Sequence, residues 1–311
     1  MTKRGWMLFG ALSVLWGVPY LMIRVAVLEI DPVVVAFLRC LIAVAVLLPI
    51  AVRAGVVGPA LRHWKPLLAF TAVEIVGPWF LLGHAERTIN SSTAGLMIAV
   101  VPLIAAVIVT RIGADKLDRR RITGLLVGFG GVAGLVGLDI QVSDFGAVAA
   151  IAGVAFGYAV GPIIINRHLA DVPPLGVIAT SLTIATLVYA PFTPAAWPQH
   201  AVSTEAVWSV IGLGLVCTAA AFLIFFALVA EAGPARATVI TYVNPAVALV
   251  LGVAILNEPL TPGMLVGFPL VILGSILATA GPRRQIEELA GEPEEHPAAE
   301  LPTLAREAAV A

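Results

Sequence analysis

Charge is what this chain has least of. Of its 311 residues, 12% are Asp, Glu, Lys or Arg while 60% are apolar, and the mean hydropathy is +1.01. A soluble protein carries about 25% charged residues. Half that share leaves too little polar surface to face water, so the chain reads as a polytopic membrane protein. Cysteine is almost missing too: Cys40 and Cys217 both lie in apolar runs, and no disulfide framework or metal motif follows from them. The five histidines are scattered, which argues against an enzyme built on His or Asp clusters at membrane level. No G-x-x-x-x-G-K-[ST] loop is present, so ATP is not the expected driving force. With a net charge of -1 and no basic stripe, nothing points to nucleic acid. No cofactor and no metal is implied.

What fills the chain instead is apolar runs of membrane length. A helix needs roughly 20 mostly apolar residues to cross a bilayer. Ten stretches qualify: about 6–28, 33–52, 65–84, 93–111, 121–139, 145–165, 174–193, 206–229, 234–256 and 261–281. The first follows Lys3 and Arg4 and continues without a small-residue cleavage site, so it reads as a span and not as a signal peptide. Basic residues fix the expected orientation. With the N-terminus in the cytoplasm, Arg53, Arg62, Lys65, Arg111, Lys116, Arg119, Arg120, Arg121, Arg167, Arg236, Arg283 and Arg284 fall inside, and the outer loops hold only Arg87. Both ends are then cytoplasmic. Beyond Pro282, seven Glu residues alternate with Pro and Ala; residues 282–311 read as an acidic, disordered cytoplasmic tail.

Two stretches copy one another. Slid without a gap, Pro102 lands on Pro245, Ala105 on Ala248, Val107 on Val250, Asp115 on Glu258, Leu117 on Leu260, Gly124 on Gly267 and Gly131 on Gly274. A period this long marks a duplicated half-protein, 1–140 and 141–281, rather than a solenoid. The fourth and ninth spans are five crossings apart, an odd number, so the halves insert upside down relative to one another. Inverted repeats of this kind are a transporter architecture. The expected fold is an all-α integral membrane protein, ten transmembrane helices in two inverted five-helix repeats around a central cavity.

Several side chains carry candidate chemistry. Glu74 sits near the middle of the third span, where a carboxylate costs about 2.5–3.5 kcal/mol. It is the candidate for proton coupling, or for holding a substrate ammonium, against the plainer reading of a protonated carboxyl bonded to a neighbouring helix. Gly77 and Pro78 follow, and Pro78 frees a carbonyl one turn back, close to Glu74. Trp16, Tyr20 and Arg24 are spaced four apart and share one face of the first span; they line a cavity or anchor at the headgroups. Trp79, Tyr158, Tyr242 and Asn244 are further cavity candidates. Pro78, Pro102, Pro162 and Pro245 are candidate helix breaks or hinges. Thr238 and Thr241 read as partners for backbone groups that Pro245 frees. Arg39, Asp115 and Glu258 read as structural charges; for Arg39 a substrate carboxylate is one partner, and an ion pair with Glu29 or Asp31 is the favoured alternative. His84 reads as interfacial, beside Glu86 and Arg87. Gly124, Gly128, Gly131, Gly134, Gly267 and Gly274 read as close-packing seams.

Leu15-Trp16-Gly17 in the first span, Pro32 with Phe37-Leu38-Arg39 in the second, and the proline-centred fourth and ninth spans, each followed by an acidic residue, resemble the EamA family of the drug/metabolite transporter superfamily. The resemblance covers nearly the whole chain to about Gly281. Arg24 stands where such proteins often have Lys, Arg39 matches their second-span arginine, and Asp115 fills a slot that is usually Glu. The resemblance implies ten helices in two inverted repeats and export of small metabolites, amino acids or drugs, not enzymatic catalysis. The expectation is a secondary-active or facilitative exporter of the cytoplasmic membrane, with amino acids as the leading cargo. A drug or toxic-compound exporter is the alternative, and a membrane receptor or enzyme a more distant one. Its partners are then a small-molecule substrate, the lipid bilayer and, as candidate coupling ions, protons.

Overall fold

The computed structural model describes residues 1–111, 118–139, 144–233, 237 and 239–279. Asp115, Thr238 and the Glu-rich tail lie outside the described residues. Met1–Thr279 form one compact unit, helical and without strands among the described residues. Nine helices there are long and apolar enough to cross a membrane: α1 (Lys3–Val27), α2 (Pro32–Arg53), α3 (Trp64–Ala85), α4 (Ser91–Arg111), α5 (Arg119–Asp139), α6 (Phe145–His168), α7 (Pro174–Ala196), α8 (Thr204–Ala232) and α10 (Pro262–Thr279). The tenth, α9 (Ile240–Leu256), is a shorter apolar helix. A short helix, Val57–Arg62, leads into α3.

Polar punctuation sets the helix ends. The Asp31 carboxylate accepts from the Val33 N–H at 3.0 Å, and Pro32 occupies the first turn, where no N–H is needed. Ser203 accepts from the Ala206 N–H at 3.2 Å to open α8. Asn257 takes a left-handed conformation, φ 53°, to end α9. Inside the spans the prolines behave differently from one another. α4 breaks between Ile98 and Val101, just before Pro102, because Pro102 cannot donate to the carbonyl four residues back. Pro162 and Pro245 sit within continuous helices.

The two halves pack by the same plan. α5 lies along α10, α2 against α7, and α4 against α9. The α1–α9 contact is matched by α6–α4, α1–α8 by α6–α3, and α2–α8 by α7–α3. Exchanging each helix for its counterpart five spans along leaves that list unchanged, as a two-fold relation between inverted halves requires. The α5–α10 pair is closest because both present glycine. A Cβ at Gly131 would meet the Gly267 carbonyl at 2.8 Å and the Val271 nitrogen at 2.9 Å, and one at Gly124 would meet the Gly274 carbonyl at 2.7 Å. In lipid no hydrophobic drive separates helix from tail, so association rests on such close backbone contact. Gly134 is not in this seam: nothing lies within 4 Å of its missing Cβ.

Candidate functional site

Midway along α3 and α8 the helix changes its winding. Thr71–Val76 in α3 and Leu215–Ala220 in α8 are π-helical. They begin at counterpart places, since residue 215 lies 144 positions after residue 71 and the repeat offset from Pro102 to Pro245 is 143. A π turn widens the helix and loosens carbonyls, and such turns concentrate at functional sites. The fourth residue of the first is Glu74; the fourth of the second is Thr218.

Each wide turn is braced by a polar side chain from the second span of the opposite half. The Tyr189 hydroxyl of α7 donates to the Val76 carbonyl at 2.6 Å. On the other side, Arg39 of α2 donates from Nε to Thr218 Oγ1 at 2.9 Å. Thr218 in turn donates to the Leu213 carbonyl five residues back, at 2.7 Å. The Arg39 guanidinium also lies over the Trp79 ring, 3.6 Å from its centroid. Tyr20, Tyr158 and Tyr189 are all within its electrostatic reach. The expected ion pairs of Arg39 are not formed: Glu29 accepts from Ser203, at 2.7 Å from its N–H and 2.5 Å from its hydroxyl, and Asp31 pairs with Arg87 at 3.7 Å.

Glu74 lies against α6. A methyl group at Gly161 would stand 2.9 Å from the Glu74 carboxyl carbon, and one at Gly157 would strike the Val73 carbonyl and the Pro78 ring. Only glycine lets the π turn approach so closely. Glu74 Oε2 is sealed from solvent and has no hydrogen-bond partner among the described residues. Tyr158, from the same face of α6, is within electrostatic reach of both Glu74 and Arg39. Among the described residues, no three His, Cys, Asp or Glu side chains gather as a metal ion would need.

At the far end of α3 a second lone carboxyl is buried. Glu86 is 0% exposed and neither side-chain oxygen has a hydrogen-bond partner among the described residues. Arg24 donates to its backbone carbonyl. Beside it, the Glu258 carboxylate closes on the start of α4. It accepts from Ser91 N–H at 2.9 Å and hydroxyl at 2.8 Å, and from Ser92 N–H at 2.9 Å and hydroxyl at 2.5 Å. A carboxylate at a helix N-terminus is favoured by both the free N–H groups and the helix dipole.

The chain matches the EamA-like transporter family twice, over residues 4–137 and 145–280. The chain belongs to the EamA-like transporter family. Among curated relatives, it is 24% identical to the uncharacterized transporter YvbV of Bacillus subtilis, over 90% of this chain and 92% of that one. It is 25% identical to the uncharacterized inner membrane transporter YedA of Escherichia coli, over 88% and 91%. A probable terminal-alkyne amino-acid exporter of Streptantibioticus cattleyicolor is 27% identical over 76% and 82%. A solved crystal structure of a protein superposes with a TM-score of 0.65 at 20% identity, covering 90% of this chain and 98% of the other, and so shares its fold.

In this EamA-like transporter the candidate residues divide into groups. Tyr20 of α1, Arg39 of α2, Glu74 and Trp79 of α3 and Tyr158 of α6 are linked by ring contact or electrostatic reach. Trp16 packs instead on Phe222 and Phe225 of α8, with ring centroids 5.9 and 5.1 Å away. The Asn244 amide, with its nitrogen turned to donate, reaches the Ser13 carbonyl at 3.2 Å and ties α9 to α1. Tyr242 turns away, to Thr279 Oγ1 of α10 at 2.5 Å. Sequence reasoning passed over Thr218, Tyr189 and Glu86. Nothing in the sequence sets Thr218 and Tyr189 apart from other Thr and Tyr in apolar runs, but Glu86 is a carboxyl just past the third span and invited the question.

Proposed function

We propose that this transporter exports small polar or amphipathic metabolites, amino acids foremost, by alternating access across the cytoplasmic membrane, with Glu74 carrying a coupling proton. The observation that supports this most directly is the Glu74 carboxyl, seated in a π turn with one oxygen unpartnered against Gly161. An intramembrane carboxyl without a fixed cation can bind a proton or a substrate ammonium and release it as access changes. The likeness to a probable amino-acid exporter supports the cargo class, and the name of the Escherichia coli relative supports the membrane. The Lys and Arg distribution supports cytoplasmic ends. Drug export is the second reading, favoured by the cluster of Trp16, Phe222, Phe225 and Phe226, which suits flat apolar solutes.

The test is flux in proteoliposomes preloaded with an amino-acid panel and a panel of aromatic cations. Amino-acid efflux is expected to follow an imposed pH gradient, and Glu74→Gln is expected to abolish that dependence while the protein stays monodisperse. Coupling that persists in Glu74→Gln removes Glu74 from the mechanism. Flux confined to the aromatic cations would replace amino acids with drugs as the cargo.

A further inference from the structure

Arg39 is 8% exposed, lies within a span, and among the described residues has no carboxylate within ion-pair distance. Its Nε–H is used by Thr218 and its flat face by Trp79. Its two terminal nitrogens have no hydrogen-bond partner among the described residues. A guanidinium is charged at every working pH, so this cation cannot escape its cost by losing a proton, as a buried Lys or Glu can. Membrane cations normally pair with an anion or with backbone carbonyls. Here the protein pins two sides of the group and leaves the third bare. The bare edge is the one whose paired N–H groups match a carboxylate.

We propose that Arg39 is the carboxylate-binding subsite of this transporter, held in place by Thr218 and Trp79, and that its ligand is the carboxylate of an amino-acid-like solute. The proposal rests on the transport reading above and sharpens its substrate class. Tyr158 lies within electrostatic reach of both Arg39 and Glu74. The carboxyl of Glu74 would draw the ammonium of the same solute. A zwitterion therefore meets complementary groups at both ends, and a simple amine or simple acid at only one. Arg39 as a pure structural brace would need no free edge: Nε and the ring stack already tie α2 to α8 and α3.

The experiment measures thermal stabilisation of purified full-length protein by each of the twenty amino acids, by the amide and the decarboxylated amine of each, and by acetate and chloride. At least one amino acid is expected to raise Tm by several degrees, with its amide and amine giving no shift. Arg39→Gln is expected to lose the response, and Arg39→Lys, which keeps the charge but not the paired donors, to weaken it. Thr218→Val leaves the charge and frees the guanidinium, and is expected to raise the concentration needed for half-maximal response. Equal stabilisation by amide and acid, a full response in Arg39→Gln or Arg39→Lys, stabilisation by chloride alone, or none by any carboxylate overturns the proposal. If Arg39→Gln does not fold, Arg39→Lys and the acid-against-amide comparison decide alone. Vesicles that carry amines while no carboxylate binds would keep the transporter reading and remove this subsite. Carboxylate binding without flux would do the reverse.

Discussion

The π turns of α3 and α8 are the same backbone device installed twice, and they hold different chemistry. In α3 the wide turn carries a carboxyl, Glu74, with one oxygen unpartnered, and its loosened carbonyl is taken by a neutral hydroxyl from Tyr189. In α8 the matching position is Thr218, fully engaged between Arg39 and the Leu213 carbonyl. The shape of the two halves is shared while the charge is not. Inversion needs matching shapes, because each half must adopt the conformation the other abandons. Recognition of an asymmetric solute needs unlike groups, and duplication followed by divergence of single side chains supplies them without disturbing the packing plan.

Changes to α3 and α8 should therefore differ in kind. Glu74→Gln should remove pH-gradient dependence from proteoliposome flux, to the level of empty vesicles, whereas Thr218→Val should leave that dependence intact and slow flux; equal effects would mean that the two turns are chemically interchangeable. Gly161→Ala places a methyl on the Glu74 carboxyl and should lower stability by about 1–3 kcal/mol through overpacking, read as a drop in Tm, and impair transport. Gly134→Ala, where nothing lies within 4 Å, should change neither. Glu258→Gln replaces two acceptor oxygens by one and should cost about 1–3 kcal/mol through donors left unpaired at Ser91 and Ser92, read by urea or thermal unfolding in detergent. The smallest effect concerns Glu29. Hydrogen bonds from the Ser203 hydroxyl and N–H hold its carboxyl below the ordinary value of 4.5. A lowered folded-state pKa means that the contact stabilises above pH 4.5 and that its contribution fades as pH falls through the lower folded value. The Tm difference between wild type and Glu29→Gln should accordingly be present at neutral pH and shrink in acid, where the wild-type carboxyl is protonated.

Most of the architecture was legible in the sequence, for a simple physical reason. Lipid demands long apolar runs and satisfied backbones, so every span leaves a mark that composition alone reveals, and the register of Pro102 on Pro245 carried the duplication. The ends of the nine long spans agree to within a few residues, as α2 at Pro32–Arg53 against an expected 33–52 shows; α9 at Ile240–Leu256 covers the later part of the expected 234–256. The site was less legible. A π turn has no compositional signature, so neither Thr71–Val76 nor Leu215–Ala220 could be foreseen. Glu74 stood out because a carboxyl in hydrocarbon is costly wherever it points. Tyr242 was expected beside Asn244 in the interior, yet it bonds Thr279; its direction depends on which face of α9 meets α10, which neighbouring residues do not encode. Arg39 was expected to find a nearby acid within its own loop, and proximity in sequence misled: its partners lie on α3 and α8. Ser91 and Ser92, following Asn90 ahead of an apolar run, have the composition of a helix start, but nothing local names Glu258 as the group that closes on them.

That closure shapes how the molecule must move. Glu258 reaches across from the second half to seize four donors of the first in one grip, and Gly252 keeps the space for it, since a Cβ there would come within 3.0 Å of Ser91 Oγ and strike Ser92 and Glu258 themselves. Such a grip cannot be loosened by degrees: a small tilt of α9 strains all four bonds together, and water replaces them together. Under the proposed alternating access, the α9 end would act as an escapement, holding the halves through thermal jostling and yielding in a single step. The rhythm of that cycle would be written there, at the rim, and not at the proposed subsite around Arg39.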